Sequence, residues 1–408
     1  MGVTAVVCAG AGARGAYEAG ALSVLLPWLL REDPDEEVML LGTSAGAINA
    51  ALFAGVLDRG RPPEEAVEDA LGLWRSATPG QVFKPLGVSA PMVGARFALE
   101  SLGLPVQVNS LLDTTPLRRT LARSLDWSHL HQNLSGKGWI GAAGVVATNC
   151  DTGYTNLFLQ GQLQRVPPTD PLGQIDYTLT SLQPVHVQAS AAIPVLFLPV
   201  RVAEAGQPGW YVDGGVRLNA PIKPALALGA TRVVVVATTP DPDLPQSLPG
   251  ERRPPDVFAS AAVALRAILV DRMAEDVRHL RQVNGLVAAS GQEEVSLPDR
   301  SDPYRRVPNL YIGPDSPEAI SLVARRVFDR YYSGPAARLS DLGLLGTLMG
   351  GVSGVHAELY SFLFFDGRFH ADLIDMGRRD AAVAVADGWK GQTIAVGGNR
   401  GRPPRQGS

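Results

Sequence analysis

The chain has 408 residues, 46% of them hydrophobic, and sets 36 basic side chains against 40 acidic ones for a net charge of −4. This is ample apolar material for one large core, and the near-balanced charge offers no electrostatic footprint for nucleic acid. Cys8 and Cys150, the two cysteines, lie in apolar stretches that read as strands, which argues against a disulfide framework. The opening residues lack the basic region of a secretory signal, and Val6 stands where a myristoylation signal needs Ser or Thr. No run approaches the ~20 uninterrupted apolar residues of a membrane span. A cytoplasmic protein with at most peripheral membrane contact is expected.

In chain order, 3–8 is a β-branched run that ends in Gly10-Ala11-Gly12-Ala13-Arg14-Gly15, and 16–30 has helical spacing and good helix formers. A second apolar strand, 38–41, runs into Gly42-Thr43-Ser44-Ala45-Gly46 and a helix to about 58. One βαβα unit therefore opens the chain and predicts a parallel sheet with helices on its faces. Pro62-Pro63-Glu64-Glu65 starts a further helix to about 75, because proline and acids suit the first helical turn.

Residues 78–135 mix Pro, Gly and apolar side chains around a helix at 116–125, and His129 and His131 fall in an irregular region. Strand character returns at 139–148 and 154–159, while polar, Pro-containing 160–185 reads as a surface excursion with His186 in an extended stretch. Tyr211-Val212 precedes Asp213-Gly214-Gly215; a short helix at 221–228 and a Val-rich strand at 232–237 follow. Beyond a Pro-rich linker at 240–256, helical periodicity is expected over 257–283, 317–332 and 355–385, with one last strand at 309–312. The division expected is a catalytic core over 1–240, a mainly helical extension over 241–390 packed on the same domain, and a disordered tail over 391–408.

Chemistry is concentrated at two turns. A serine between flanking glycines at a strand-to-helix turn sits on a strained bend that pushes its Oγ outward, and the helix N-terminus adds positive potential beneath it. The alternative is that Ser44 is only the N-cap of that helix. Gly10–Gly15 ends the neighbouring strand at the same carboxyl edge of the sheet, where α/β folds bind ligands. Backbone N–H groups from this loop, joined by that of Ala45, can face an acyl oxyanion, and Arg14 can anchor a phosphate or fix the loop.

The hexapeptide also matches the dinucleotide fingerprint G-x-G-x-x-G. That fingerprint needs an acid at the end of the second strand, whereas the acids here, Asp33 to Glu37, precede the strand. No cofactor is expected. No metal is expected either, since the acids and histidines show no ligand spacing.

A serine nucleophile needs a base. None of the six histidines, which include His279, His356 and His370 on expected helices, follows a strand in the loop position of an ordinary hydrolase triad. A water-shielded aspartate can replace the histidine, because burial raises its basicity. Asp213 follows an apolar run and precedes two glycines that allow close backbone approach. Its plainer reading is a turn aspartate.

Gly10–Gly15, Gly42-Thr43-Ser44-Ala45-Gly46, Ala189-Ser190-Ala191-Ala192-Ile193-Pro194 and Asp213-Gly214-Gly215, in that order, resemble the four signature blocks of patatin-like phospholipases. Tyr17, Gly20 and Asn219-Ala220-Pro221 add to the match, which covers roughly 3–240, and 361–380 is similar to the carboxyl-terminal part of bacterial members. The resemblance implies a three-layer α/β/α fold with a mainly parallel sheet and a lipid or phospholipid substrate. It also implies a Ser44–Asp213 dyad that forms an acyl-enzyme, with Gly10, Ala11 and Gly12 on the oxyanion loop and Gly15, Gly42, Gly46, Gly214 and Gly215 as motif glycines. Ala11 replaces a customary glycine and is strained by about 1 kcal/mol if its site needs positive φ. Two other functions fit the same residues, a small-ester or thioester hydrolase and a non-catalytic lipid-binding module. Substrate access is expected from the apolar segment 80–110 or the Gly-Leu segment 342–352, either as a lid or as an interfacial patch.

Overall fold

The computed structural model describes residues 2–85, 110–203, 206–244, 272–296, 303–335, 337–348 and 355–389. The expected tail over 391–408, most of 80–110 and the first half of the 257–283 helix lie outside these residues.

Strands β1 (Val3–Cys8), β2 (Glu37–Thr43), β3 (Ile140–Asn149), β4 (Thr155–Gly161), β5 (Ile175–Leu179), β6 (Val200–Val202), β7 (Gly209–Asp213) and β8 (Arg232–Val236) come first. After them β9 (Glu294–Val295) and β10 (Tyr304–Arg305) form a small separate hairpin, and β11 (Asn309–Ile312) returns to the main sheet. The main sheet runs β11-β8-β1-β2-β3-β4-β5, with β7 on β3 and β6 on β7. The pairs from β11 through to β3 are all parallel, while β3–β4, β3–β7 and β6–β7 are antiparallel. A mostly parallel central sheet flanked by helices results.

Its two faces bury two cores, as the two-residue period of a strand requires. From β1, Val6 and Cys8 enter one core while Val3, Ala5 and Val7 enter the other; from β2, Val38 and Leu40 part in the same way from Met39 and Leu41. The larger core packs α1 (Gly15–Glu32), α2 (Ala45–Val56) and α3 (Pro63–Ser76) against the sheet. The opposite face is covered by Ile222–Ala227 and Arg272–Ser290. The helix Gly367–Asp387 lies along α1, and β11 extends the sheet beside β8.

Four expectations are corrected. Within 160–185, Ile175–Leu179 is a strand parallel to β4. It is an edge strand that buries Ile175 and Thr178 but leaves Leu179 exposed, so its sequence lacks a clean alternation. His186 lies in a helix, Pro184–Ser190, started by proline, and His129 and His131 lie in Trp127–Gln132, capped by Asp126. Cys150 is exposed in the turn after β3; it and the buried Cys8 are both free thiols. In the 342–352 segment, Leu342 and Leu345 are buried on the helix Asp341–Leu348, so these leucines are core rather than an exposed patch.

Candidate active site

Strand β3 brings the two principal candidates together. Along one of its edges β2 ends at Thr43, opposite Val146; antiparallel β7 descends the same edge and ends at Asp213, opposite the next residue, Ala147. The residues following Thr43 and Asp213 thus meet head-on, although they lie far apart in sequence.

Ser44 turns the chain from β2 into α2 with φ 57 and ψ −121, a left-handed conformation rare for a side-chain-bearing residue. Its side chain makes no capping bond to α2, so it occupies the N-cap position without performing that task. The turn is tight enough that a Cβ on Gly42 would lie 2.0 Å from the Gly46 carbonyl oxygen, and one on Gly46 would lie 2.4 Å from that of Cys8. Ser44 donates its backbone N–H to Ser190 Oγ at 2.8 Å. Thr43 Oγ1 donates to the Leu218 carbonyl at 3.0 Å, which ties the turn to the segment after Asp213.

Asp213 is fully buried. Its Oδ1 accepts the Gly215 N–H at 2.7 Å, its own N–H is donated to the Ala192 carbonyl at 2.8 Å, and Gly214 packs directly on the Val146 backbone. Oδ2 is buried and makes no hydrogen bond of normal geometry. Burial pushes the carboxyl pKa up to about 7; the Ser44 hydroxyl, close to it, and the Gly215 N–H offset only part of that rise.

The glycine loop divides its amides between structure and availability. Gly10 donates to Asn219 Oδ1 at 2.7 Å, Ala13 to the Phe362 carbonyl at 2.8 Å, Arg14 to Ala11 O at 3.1 Å, and Gly15 to Gly12 O. Gly10, expected to face an oxyanion together with its neighbours, therefore has its N–H committed elsewhere. The amides of Ala11, Gly12 and Ala45 have no partner among the described residues. Ala11 has φ −144 and Gly12 φ +56, so the strain expected at Ala11 is absent, and the left-handed site falls on a retained glycine.

Arg14 is buried and turned toward the carboxyl-terminal part of the chain. Its Nε donates to Ser361 Oγ and one terminal nitrogen to the Glu358 carbonyl, both at 2.8 Å, while its guanidinium lies 3.8 Å from the Phe362 ring centre. Of the two roles expected for Arg14, these contacts are those of a loop brace.

Beside Ser44 opens a narrow cavity with about 70 Å³ of internal space. Its lining is almost wholly apolar and includes Ile48, Trp74, Leu121, Ile193, Phe197 and Phe365; no histidine lines it. Trp74 is fixed by a polar network that the sequence did not reveal. The indole N–H donates to Asn49 Oδ1 at 2.8 Å, and Asn49 donates to Gly15 O at 3.0 Å and to the fully buried Glu18 at 3.2 Å. The buried histidines are neutral supports: burial lowers His186 and His370 to about 4, and His370 Nδ1 bonds the Trp74 carbonyl. Among the described residues no group of three or more His, Cys, Asp or Glu is arranged to hold a metal ion, and no helix is long and apolar enough to cross a membrane.

Ser190, Asn219, Asn49 and the 358–362 stretch were not singled out as site residues. Ser190 and Asn219 lie inside recognisable motif blocks and Ser361 at the edge of the carboxyl-terminal similarity, whereas Asn49 and Glu358 carry no local signature.

A family model described as patatin-like phospholipase matches residues 6–226. Among solved structures, the chain is similar to VipD from Legionella pneumophila at 15% identity and a TM-score of 0.29, covering 76% of this chain and 61% of that one. It is also similar to human GIVD cytosolic phospholipase A2, crystallised with methyl gamma-linolenyl fluorophosphonate, at 14% identity and a TM-score of 0.38, covering 96% and 59%. The chain thus spans about six tenths of the length of each. A search of curated proteins gives no significant match.

Proposed function

The chain belongs to the patatin-like phospholipase family, and from that membership we propose that it cleaves fatty acyl esters of membrane lipids, with Ser44 as nucleophile and Asp213 as its base. The observation that carries this reading is a fully buried carboxylate, whose burial pushes its pKa up to about 7, beside a serine held at φ 57. A general base works best with a pKa near the working pH, and an Asp at its ordinary value would be too weak.

In the proposed cycle Ser44 Oγ attacks the ester carbonyl while Asp213 takes its proton. The N–H groups of Ala11, Gly12 and Ala45 receive the oxyanion; in a water-poor site each such donor is worth about 3 kcal/mol to the transition state. Collapse expels the lysolipid alkoxide, which takes the proton back from Asp213. Water then attacks the acyl-enzyme, again with Asp213 as base, releasing the fatty acid and restoring Ser44. The acyl chain occupies the apolar cavity, and this favours a fatty acyl group over a short or polar one.

The test is mass spectrometry of a total lipid extract incubated with wild type, Ser44→Ala and Asp213→Asn. Wild type is expected to deplete a lipid class and release its fatty acid, with Ser44→Ala inactive and Asp213→Asn slower by about 10²–10⁴-fold. A well-folded Ser44→Ala protein that still hydrolyses lipid would refute the mechanism. Fluorophosphonate labelling of wild type but not of Ser44→Ala separates an enzyme from a lipid-binding module.

A further inference from the structure

Ser44 and Asp213 come from strands that do not pair with each other, so their mutual position rests on what spans them. Both strands pair with β3, β2 pairs also with β1 and β7 with β6, and no pairing joins β2 to β7. Beside the Thr43–Leu218 hydrogen bond, the direct span between the two backbones is residues 190–192. Ser190 Oγ accepts the Ser44 N–H, and two residues later the Ala192 carbonyl accepts the Asp213 N–H, both at 2.8 Å.

The anchor beneath this span is rigid. The helix Pro184–Ser190 is held to β4 by His186, fully buried and stacked on Phe158 with ring centres 4.6 Å apart. Ala191 continues the turn by donating its N–H to the Val187 and Gln188 carbonyls. Ser190 itself has no exposed surface.

A hydroxyl is specifically needed here. Where β2 ends, the Ser44 N–H is buried and Ser190 Oγ is its acceptor, while the positive φ of Ser44 turns the following chain into α2. Without that acceptor the turn would hold a buried, unpaired donor in an already disfavoured backbone conformation. It would then relax, and the hydroxyl would swing out of line with the carboxylate.

We infer that Ser190 is a positioning residue for the proposed reaction, its Oγ fixing the backbone of Ser44 while the adjoining Ala192 carbonyl fixes that of Asp213. Ser190 also takes the Ser44 amide out of contention as an oxyanion donor, which leaves that task to the loop and to Ala45. The inference rests on the proposed nucleophile, and the experiment separates the two.

Turnover of a long-chain p-nitrophenyl ester is measured per active site titrated with a fluorophosphonate, so that loss of folded protein does not count. For Ser190→Ala, kcat per site is expected to fall about 10–100-fold, the scale of a misplacement near 1 Å, with KM within about twofold. Ser190→Thr, which keeps an acceptor oxygen, is expected to stay within about threefold of wild type. If Ser190→Ala keeps wild-type kcat per site, or if Ala and Thr variants fall alike, the inference is wrong. Should Ser190→Ala not fold, Ser190→Cys carries the same test, since sulfur is a weak acceptor of similar size: a tenfold loss supports the inference and wild-type kcat overturns it. Ser44→Ala run alongside is expected to be inactive; if it hydrolyses the ester, the proposed nucleophile falls rather than the role of Ser190.

Discussion

Ala11 and Gly12 are chain neighbours with backbone angles of opposite sign, φ −144 against φ +56, and Gly12 approaches the Phe362 carbonyl so closely that an added Cβ would sit 2.4 Å from its oxygen. Replacing these two residues therefore has unequal effects. Ala11→Gly relieves no strain and adds freedom to the unfolded chain; it is expected to lower stability by about 0.4–1 kcal/mol, read by chemical denaturation, with kcat unchanged or lower. Gly12→Ala forces a left-handed alanine against the Phe362 backbone and is expected to cost more than 1 kcal/mol and to abolish fluorophosphonate labelling. A gain in activity from Ala11→Gly would contradict this account of the loop.

The burial of Asp213 sets the pH profile. A base must be ionised to act, so kcat/KM is expected to rise with unit slope toward a midpoint near the folded pKa of about 7 and to level off above it. Stability runs the other way. The folded state holds this proton more tightly than an unfolded chain, whose Asp titrates near 3.9, so the contribution is complete below pH 3.9 and is lost as pH rises through about 7. Asp213→Asn, neutral at all pH, is thus expected to be more stable than wild type above pH 7 by at most about 4 kcal/mol, read as a higher Tm. An activity midpoint near pH 4 would remove Asp213 as the base.

The cavity predicts chain-length selection. Leu121 lines it and is itself almost fully buried. Leu121→Trp fills part of the space, and hydrolysis of palmitoyl esters is expected to fall at least tenfold relative to butyryl esters on the same protein. Equal losses for both chain lengths would place the acyl group elsewhere.

Arg14 braces the loop through a forked, stacked contact that lysine cannot reproduce. Arg14→Lys is expected to cost about 1–3 kcal/mol in stability through the polar groups it leaves unpaired, and to lower kcat with little change in KM. A raised KM for phospholipid, with kcat and stability intact, would instead reveal a phosphate contact.

Much of this architecture can be read from local pattern. The apolar runs of β1, β2 and β8 alternate between two cores, and the turns after β1 and β2 carry glycines at spacings that admit few other structures. What stays hidden is whatever depends on pairing across distance. Nothing near Asp213 signals that β7 runs antiparallel down the edge of β3 that β2 leaves free. The Asn49–Trp74–Glu18 network looks in sequence like helix filling. His186 reads as extended because the proline that starts its helix resembles a loop residue, and Ile175–Leu179 escapes notice because an edge strand buries only part of one face. Ala11 shows the reverse case, in which a departure from the usual glycine suggests strain that the observed dihedral does not carry.

Arg14 and Ser361 are bonded across 347 positions of chain. The glycine loop is therefore braced only once residues 358–362, far along the chain, have been synthesised. Ser44 and Asp213 are both synthesised long before that moment, so a nascent chain carries the proposed nucleophile and base next to an unbraced loop. A chain cut before residue 358 is thus expected to keep the proposed nucleophile and base but to lack the contacts that brace the loop beside them.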